Sequence, residues 1–233
     1  RANARALALM LAEVGITVDA LPLLDVRQAG ASDIMGDRTL GAEPMRVAAL
    51  GRAVIEGLAD GNVVGIVKHM PGHGRALVDS HLELPVVTAD AEQLESDLAP
   101  FHTLRSAPIG MTAHVVYSAI DPENPGTLSK TIIQEIIRKK IGFNGLLMTD
   151  DLSMKALSGD FRSRAERAIA SGCDIVLHCN GDLEEARQVA EGAPVLKEMS
   201  AHRAERALDA IGRIAPFDVS KALAEFDAAF LTS

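Results

Sequence analysis

Within fourteen residues, the segment KHMPGHGRALVDSH (68–81) holds three histidines, one aspartate and one lysine. Imidazole changes charge near neutral pH, so such a run can supply a general acid or base. Proline fixes φ and glycine permits positive φ, so PGHG is turn text. The segment therefore reads as a polar loop hung on the apolar strand NVVGIVKH (62–69). In Asp79-Ser80-His81 a carboxylate stands next but one to an imidazole, where it can fix the tautomer and steady the imidazolium. A solvated surface loop would carry the same triplet. His69 and His73 are spaced i, i+4 as in helical zinc sites, but Pro71 and Gly72 forbid a helix there, and neither HExxH nor HxH occurs. Neither a metal nor a cofactor is expected.

A second constellation is GLLMTDDLSM (145–154), an apolar run ending in paired carboxylates. Adjacent carboxylates repel unless they point apart, and successive strand side chains do point apart. Asp150 is expected to do chemistry and Asp151 to serve the scaffold, either Asp151 or Thr149 capping the next helix. The third is IMGDRTLG (34–41), where Asp37 and Arg38 in a glycine-flanked loop could hold a ligand hydroxyl or carboxylate. Surface Asp–Arg neighbours are also common without function.

The elements that must position these groups alternate. Apolar runs predict strands over 16–26, 62–69, 108–117, 143–151 and 173–180. Helical spacing predicts helices over 3–14, 43–61, 90–105 (interrupted or ended near Pro100), 128–142, 161–172, 182–192 and 196–213, with a polar remainder to Ser233. Strand–helix alternation with uniformly apolar strands implies a parallel sheet buried on both faces. Asp25, Lys68–His69, His114, Asp150–Asp151 and His178 all fall at strand ends, where α/β folds of both barrel and open type carry their sites. No GxGxxG follows the first strand and no GxxxxGK[ST] occurs, so dinucleotide and P-loop chemistry lack support.

Composition bounds the rest. The 233 residues are 48% hydrophobic and 24% charged, an ordinary globular balance. A net charge of −9 argues against a nucleic-acid partner, and no apolar stretch is long enough to span a membrane. Cys173 and Cys179 are expected to be buried thiols of a reducing compartment rather than a disulfide.

Taken together, KHMPGHG…DSH and MTDDLSM resemble the family 3 glycoside hydrolases of the β-N-acetylhexosaminidase type, bacterial cytoplasmic enzymes of peptidoglycan recycling. The likeness extends through GDRTLG, MTAHVVYSAID, DPENPGTLS and ASGCDIVLHCNGD. It implies a single α/β catalytic domain over 1–233 with the (β/α)8 TIM-type barrel fold. It also implies retaining hydrolysis through a covalent glycosyl-enzyme, with Asp150 as nucleophile, His81 as acid/base and Asp79 assisting it. Arg38, Lys68 and His69 match the family's sugar-binding residues. The implied partner is a small saccharide, GlcNAc-1,6-anhydro-MurNAc with or without peptide, acted on by a monomer. Alternatives are a phosphorylase or β-glucosidase of the same family, a sugar-binding fragment without turnover, and, more remotely, a metal-dependent barrel hydrolase.

An eight-stranded barrel needs three more β/α units than the five strands read here, roughly 90–110 residues. The family also uses an Asp and an Arg from a segment with no counterpart in this chain. The expectation is that the barrel lacks its first three units, and that the 233-residue polypeptide alone turns over a chromogenic β-GlcNAc glycoside poorly or not at all.

Overall fold

The computed structural model describes residues 1–31, 35–211, 220, 224 and 226–228. In chain order the elements begin with α1 (Ala2–Glu13), β1 (Val18–Asp19), a 3-10 turn (Gly36–Arg38), α2 (Pro44–Asp60), β2 (Val64–Met70), β3 (Val86–Val87) and α3 (Ala91–Thr103). They continue with β4 (Ile109–Thr112), β5 (Val116–Tyr117), β6 (Asp121–Pro125), a 3-10 turn (Gly126–Leu128) and a π-helix (Ile132–Lys140). Last come β7 (Leu146–Asp151), α4 (Phe161–Ser171), β8 (Ile175–Leu177), α5 (Leu183–Gly192) and α6 (Glu198–Asp209).

The fold is α/β. Five strands form a curled parallel half-barrel in the order β1-β2-β4-β7-β8, so neighbours in the sheet follow one another along the chain. Helices bridge the successive strands, as parallel pairing requires. Alternate side chains face opposite sides. Val67 and Leu147 join the layer under the outer helices, with Phe101, Ile133, Ile137 and Phe143. Val64, Ile66, Ile109, Met111, Leu146 and Met148 form the inner face, where Ala204 and Ala207 of α6 pack against them. Both faces are covered, which is why these strands read as unbroken apolar runs. Continuing the inner-face alternation past Ile66 and Met148 brings Lys68 and Asp150 to the same mouth of the sheet.

The helix boundaries follow from local chemistry. Glu43 accepts from the Met45 and Arg46 N–H groups and Pro44 opens α2. Asp160 caps α4, and Gly172 ends it at φ +117.

Several expected elements differ. The strand expected over 16–26 is reduced to Val18–Asp19 plus an isolated bridge from Leu23 to Lys68. Pro22, which has no N–H to donate, interrupts the ladder. The strand expected over 108–117 breaks after Thr112, and Val116–Tyr117 leaves to pair with β3 and β6 in a separate three-stranded sheet. Asp121–Pro125, which lies between the expected strand and the expected helix and holds two prolines, is that sheet's third strand. Pro100 neither ends nor interrupts α3. An interior proline costs about 3 kcal/mol, whereas burying Leu94, Leu98 and Phe101 returns about 1.5–3 kcal/mol each. The last expected helix is Glu198–Asp209; residues 212–213 and most of the remainder to Ser233 lie outside the described residues.

Candidate active site

Asp25, fully buried beside β2, organises the mouth of the sheet. Its Oδ2 accepts the His69 Nδ1–H at 2.8 Å, and its Oδ1 accepts the His73 N–H at 2.7 Å and the His69 N–H at 3.2 Å. Burial works to raise its pKa, but the His69 ring and these hydrogen bonds outweigh it and hold the carboxyl below the usual range. A carboxylate only accepts, so the His69 proton must sit on Nδ1. The opposite nitrogen, Nε2, then faces Asp150 Oδ2 at 3.7 Å.

Asp150 and Asp151 end β7 and have different surroundings. Asp151 accepts from the Ser153 N–H at 3.0 Å and the Ser153 hydroxyl at 2.6 Å, and its Oδ1 takes the Cys179 N–H at 3.4 Å. Its carboxylate closes a turn rather than capping a helix, the expected helix cap falling instead to Asp160. Thr149 likewise caps nothing; its hydroxyl oxygen accepts the Leu177 N–H at 2.9 Å and stitches β7 to β8. Asp150 lines an open cavity of about 270 Å3. Burial again opposes ionisation, but the His69 ring, the Asp151 N–H at 2.9 Å and the Lys68 ammonium hold its carboxyl below the ordinary value. An anionic, partly exposed carboxylate of this kind can act as a nucleophile.

His81 lies in the long loop after β2 and reaches the same cavity. Asp79 Oδ1 accepts both its N–H and its Nδ1–H, each at 2.8 Å. The pair suits a proton shuttle, with the carboxylate orienting the ring and supporting the imidazolium. The root of the loop is fixed closely. A side chain at Gly74 would collide with the Val26 carbonyl, and Tyr117 donates its hydroxyl to the Gly72 carbonyl at 2.8 Å.

Lys68 and Arg38 complete the polar wall of the cavity. Burial lowers the Lys68 pKa against the pull of Asp150. The structure thus brings all six residues expected at the site, Arg38, Lys68, His69, Asp79, His81 and Asp150, to one mouth or, for Asp79, into contact with a residue that lines it. Two other strand-end histidines stand apart. His178 faces Glu185 at 3.0 Å and packs edge-on to Phe161. His114 is wholly buried beneath β7, bonded to the Thr127 hydroxyl at 2.7 Å and the Asp151 carbonyl at 3.0 Å.

Among the described residues, no group of three His, Cys, Asp or Glu side chains could hold a metal ion. Both cysteines are free, and Cys173 is buried, its thiol pushed up to about 12. Cys179, expected to be buried, is instead exposed on the cavity wall, because it follows the last residue pair of β8 where the sheet opens. Met35, Met111 and Met154 also line the cavity, and nothing in their sequence setting separates them from core methionines.

Residues 2–211 match the family model described as "Glycosyl hydrolase family 3 N terminal domain". A beta-hexosaminidase of Idiomarina loihiensis is 38% identical over 207 residues, covering 86% of this chain and 62% of that protein. One of Aromatoleum aromaticum is 40% identical over 171 residues, covering 71% of this chain and 48% of that protein. The chain thus spans about half the length of the curated relatives it matches. Among solved structures, NagZ from Neisseria gonorrhoeae in complex with N-trifluoroacetyl-D-glucosamine aligns with a TM-score of 0.80 at 32% identity, over 95% of this chain and 65% of that one.

Proposed function

The chain belongs to the family 3 glycosyl hydrolases, and on that premise we propose that it is the catalytic part of a retaining exo-β-N-acetylglucosaminidase. The observation that carries the reading is one cavity shared by an anionic Asp150 and the carboxylate-supported imidazole of His81, with Lys68, His69 and Arg38 on its walls. The names of the relatives, beta-hexosaminidase, support it.

In the first step Asp150 attacks the anomeric carbon while the His81 imidazolium protonates the departing glycosidic oxygen. The C–O bond to the aglycone breaks and an ester to Asp150 forms. His81, now neutral, takes a proton from water; the oxygen attacks the same carbon, and the carboxylate of Asp150 leaves. Two inversions give net retention. Asp79 supports the charge on His81 in the first step and keeps its Nδ1 protonated in the second. Lys68 and Arg38 supply donors for the sugar hydroxyls, and His69 Nε2, its ring proton held on Nδ1 by Asp25, accepts from one.

We infer that the substrate is GlcNAc-1,6-anhydro-MurNAc, with or without its peptide, met in the bacterial cytoplasm by a monomeric enzyme. The five-stranded half-barrel is read as an arc of a (β/α)8 barrel, and its strand order supports that. Proton NMR of the first-formed sugar tests the mechanism: β-GlcNAc is expected, and α-GlcNAc would overturn it.

A further inference from the structure

Ser80 stands between the two residues of the acid/base pair, yet it is 5% exposed while His81 is open to solvent. Its side chain points the other way. Its Oγ lies 3.3 Å from His73 Nε2, and its carbonyl accepts the Ala156 N–H at 3.2 Å. Ala156 belongs to the loop that follows the nucleophile strand. That loop is braced from behind by Arg164, which donates to the Leu152 carbonyl at 2.6 Å. His73 in turn hangs from Asp25 by its N–H, and Asp25 also holds His69 against Asp150.

The other hydrogen bonds of residues 77–84 stay within the segment, from the His81, Leu82 and Glu83 N–H groups and the His81 ring to Asp79. Among the described residues, the two bonds at Ser80 are the only ones joining this segment to the rest of the chain. On its outer side Leu77 and Leu82 are exposed.

We propose that Ser80 is a positioning residue: it latches the Asp79–His81 loop to His73 on one side and to the loop behind Asp150 on the other, setting the acid/base at a fixed place relative to the nucleophile. The latch rests on the glycosidase reading for its consequence, not for its geometry. Ser80→Ala removes the hydroxyl bond and leaves Arg38, Lys68 and His69 untouched.

The test has two arms, both on the 233-residue chain with enzyme in excess. Amide exchange of residues 77–84 and of Ala156 is expected to quicken roughly fivefold to tenfold in Ser80→Ala, the size of one lost hydrogen bond. In the kinetic arm, kcat/KM for an alkyl β-GlcNAc glycoside, which needs protonation to leave, falls by about the same factor. For the 2,4-dinitrophenyl glycoside, which leaves unaided, it stays within about twofold of wild type. His73→Phe gives the same signature, and the double variant is no worse than either single one. Unchanged exchange, or equal losses on the two glycosides, would overturn the latch. If the wild-type chain cleaved neither glycoside, the poor turnover expected of these 233 residues would be met, and the exchange arm alone would decide the latch.

Discussion

His69 presents its Nε2 to the Asp150 carboxylate at 3.7 Å. That orientation is set from behind, because Asp25 accepts the proton on the opposite nitrogen at 2.8 Å. Asp25 therefore governs both the fold of the loop root and the setting of the His69 ring against Asp150. Replacing it with alanine leaves the His69 Nδ1–H and the His73 N–H buried without an acceptor. A buried donor left without its acceptor costs about 1–3 kcal/mol, more when the lost acceptor is charged. Urea unfolding of Asp25→Ala is expected to show a loss of that size, and a loss under about 1 kcal/mol would remove Asp25 from its central place.

The Asp79–His81 pair makes a kinetic prediction. A general acid contributes about 10^2 to 10^4 in rate when the leaving group needs a proton. His81→Ala should lose that factor on alkyl glycosides and far less in kcat/KM on a dinitrophenyl glycoside. Asp79→Asn should show the same pattern more weakly, since the ring survives but its imidazolium loses support. Equal losses across leaving groups would show that His81 binds sugar and does not transfer protons.

Stability should fall on mild acidification. Burial lowers the pKa of both His73 and His114 below the ordinary histidine value of 6.5. The unfolded chain then binds more protons than the folded one, so the stabilisation is fully present above 6.5 and is lost as pH falls through the lower folded values. Asp25 and Asp150 are held below 3.8 and contribute only further down. The thermal midpoint is expected to drop between about pH 7.5 and 5. In His114→Gln, whose amide can still donate to the Asp151 carbonyl, the curve should be shallower. An equal slope in the variant would show that His114 is not buried in its neutral form.

Phosphate separates hydrolysis from phosphorolysis. Water is the expected second nucleophile, so GlcNAc should be the product with or without phosphate. Accumulation of GlcNAc 1-phosphate in phosphate buffer would replace the hydrolase reading with a phosphorylase.

Much of this was legible in the chain text because it depends on neighbours in sequence. Both-face burial left β2 and β7 as unbroken apolar runs, and the carboxylates and imidazoles at their ends marked the mouth. The DSH triplet already contained the short Asp79–His81 contact. What the text could not reveal depends on distant partners. The run 108–117 looks continuous, and its break after Thr112 is decided by pairing of Val116–Tyr117 with Val86–Val87. Cys179 reads as one more apolar-strand thiol until the edge of the sheet exposes it. Ser80 is unremarkable between Asp79 and His81 until Ala156 is seen to donate to it.

Asp150 is the residue expected to become glycosylated. A 5-fluoro-β-N-acetylglucosaminyl fluoride should trap that ester, because ring fluorine slows both steps while the fluoride leaving group speeds the first. With enzyme in excess, peptide mass spectrometry should find one sugar on the peptide bearing Asp150, and none in Asp150→Asn. A sugar on any other residue, or release of the analogue with inverted configuration and no adduct, would contradict the assignment.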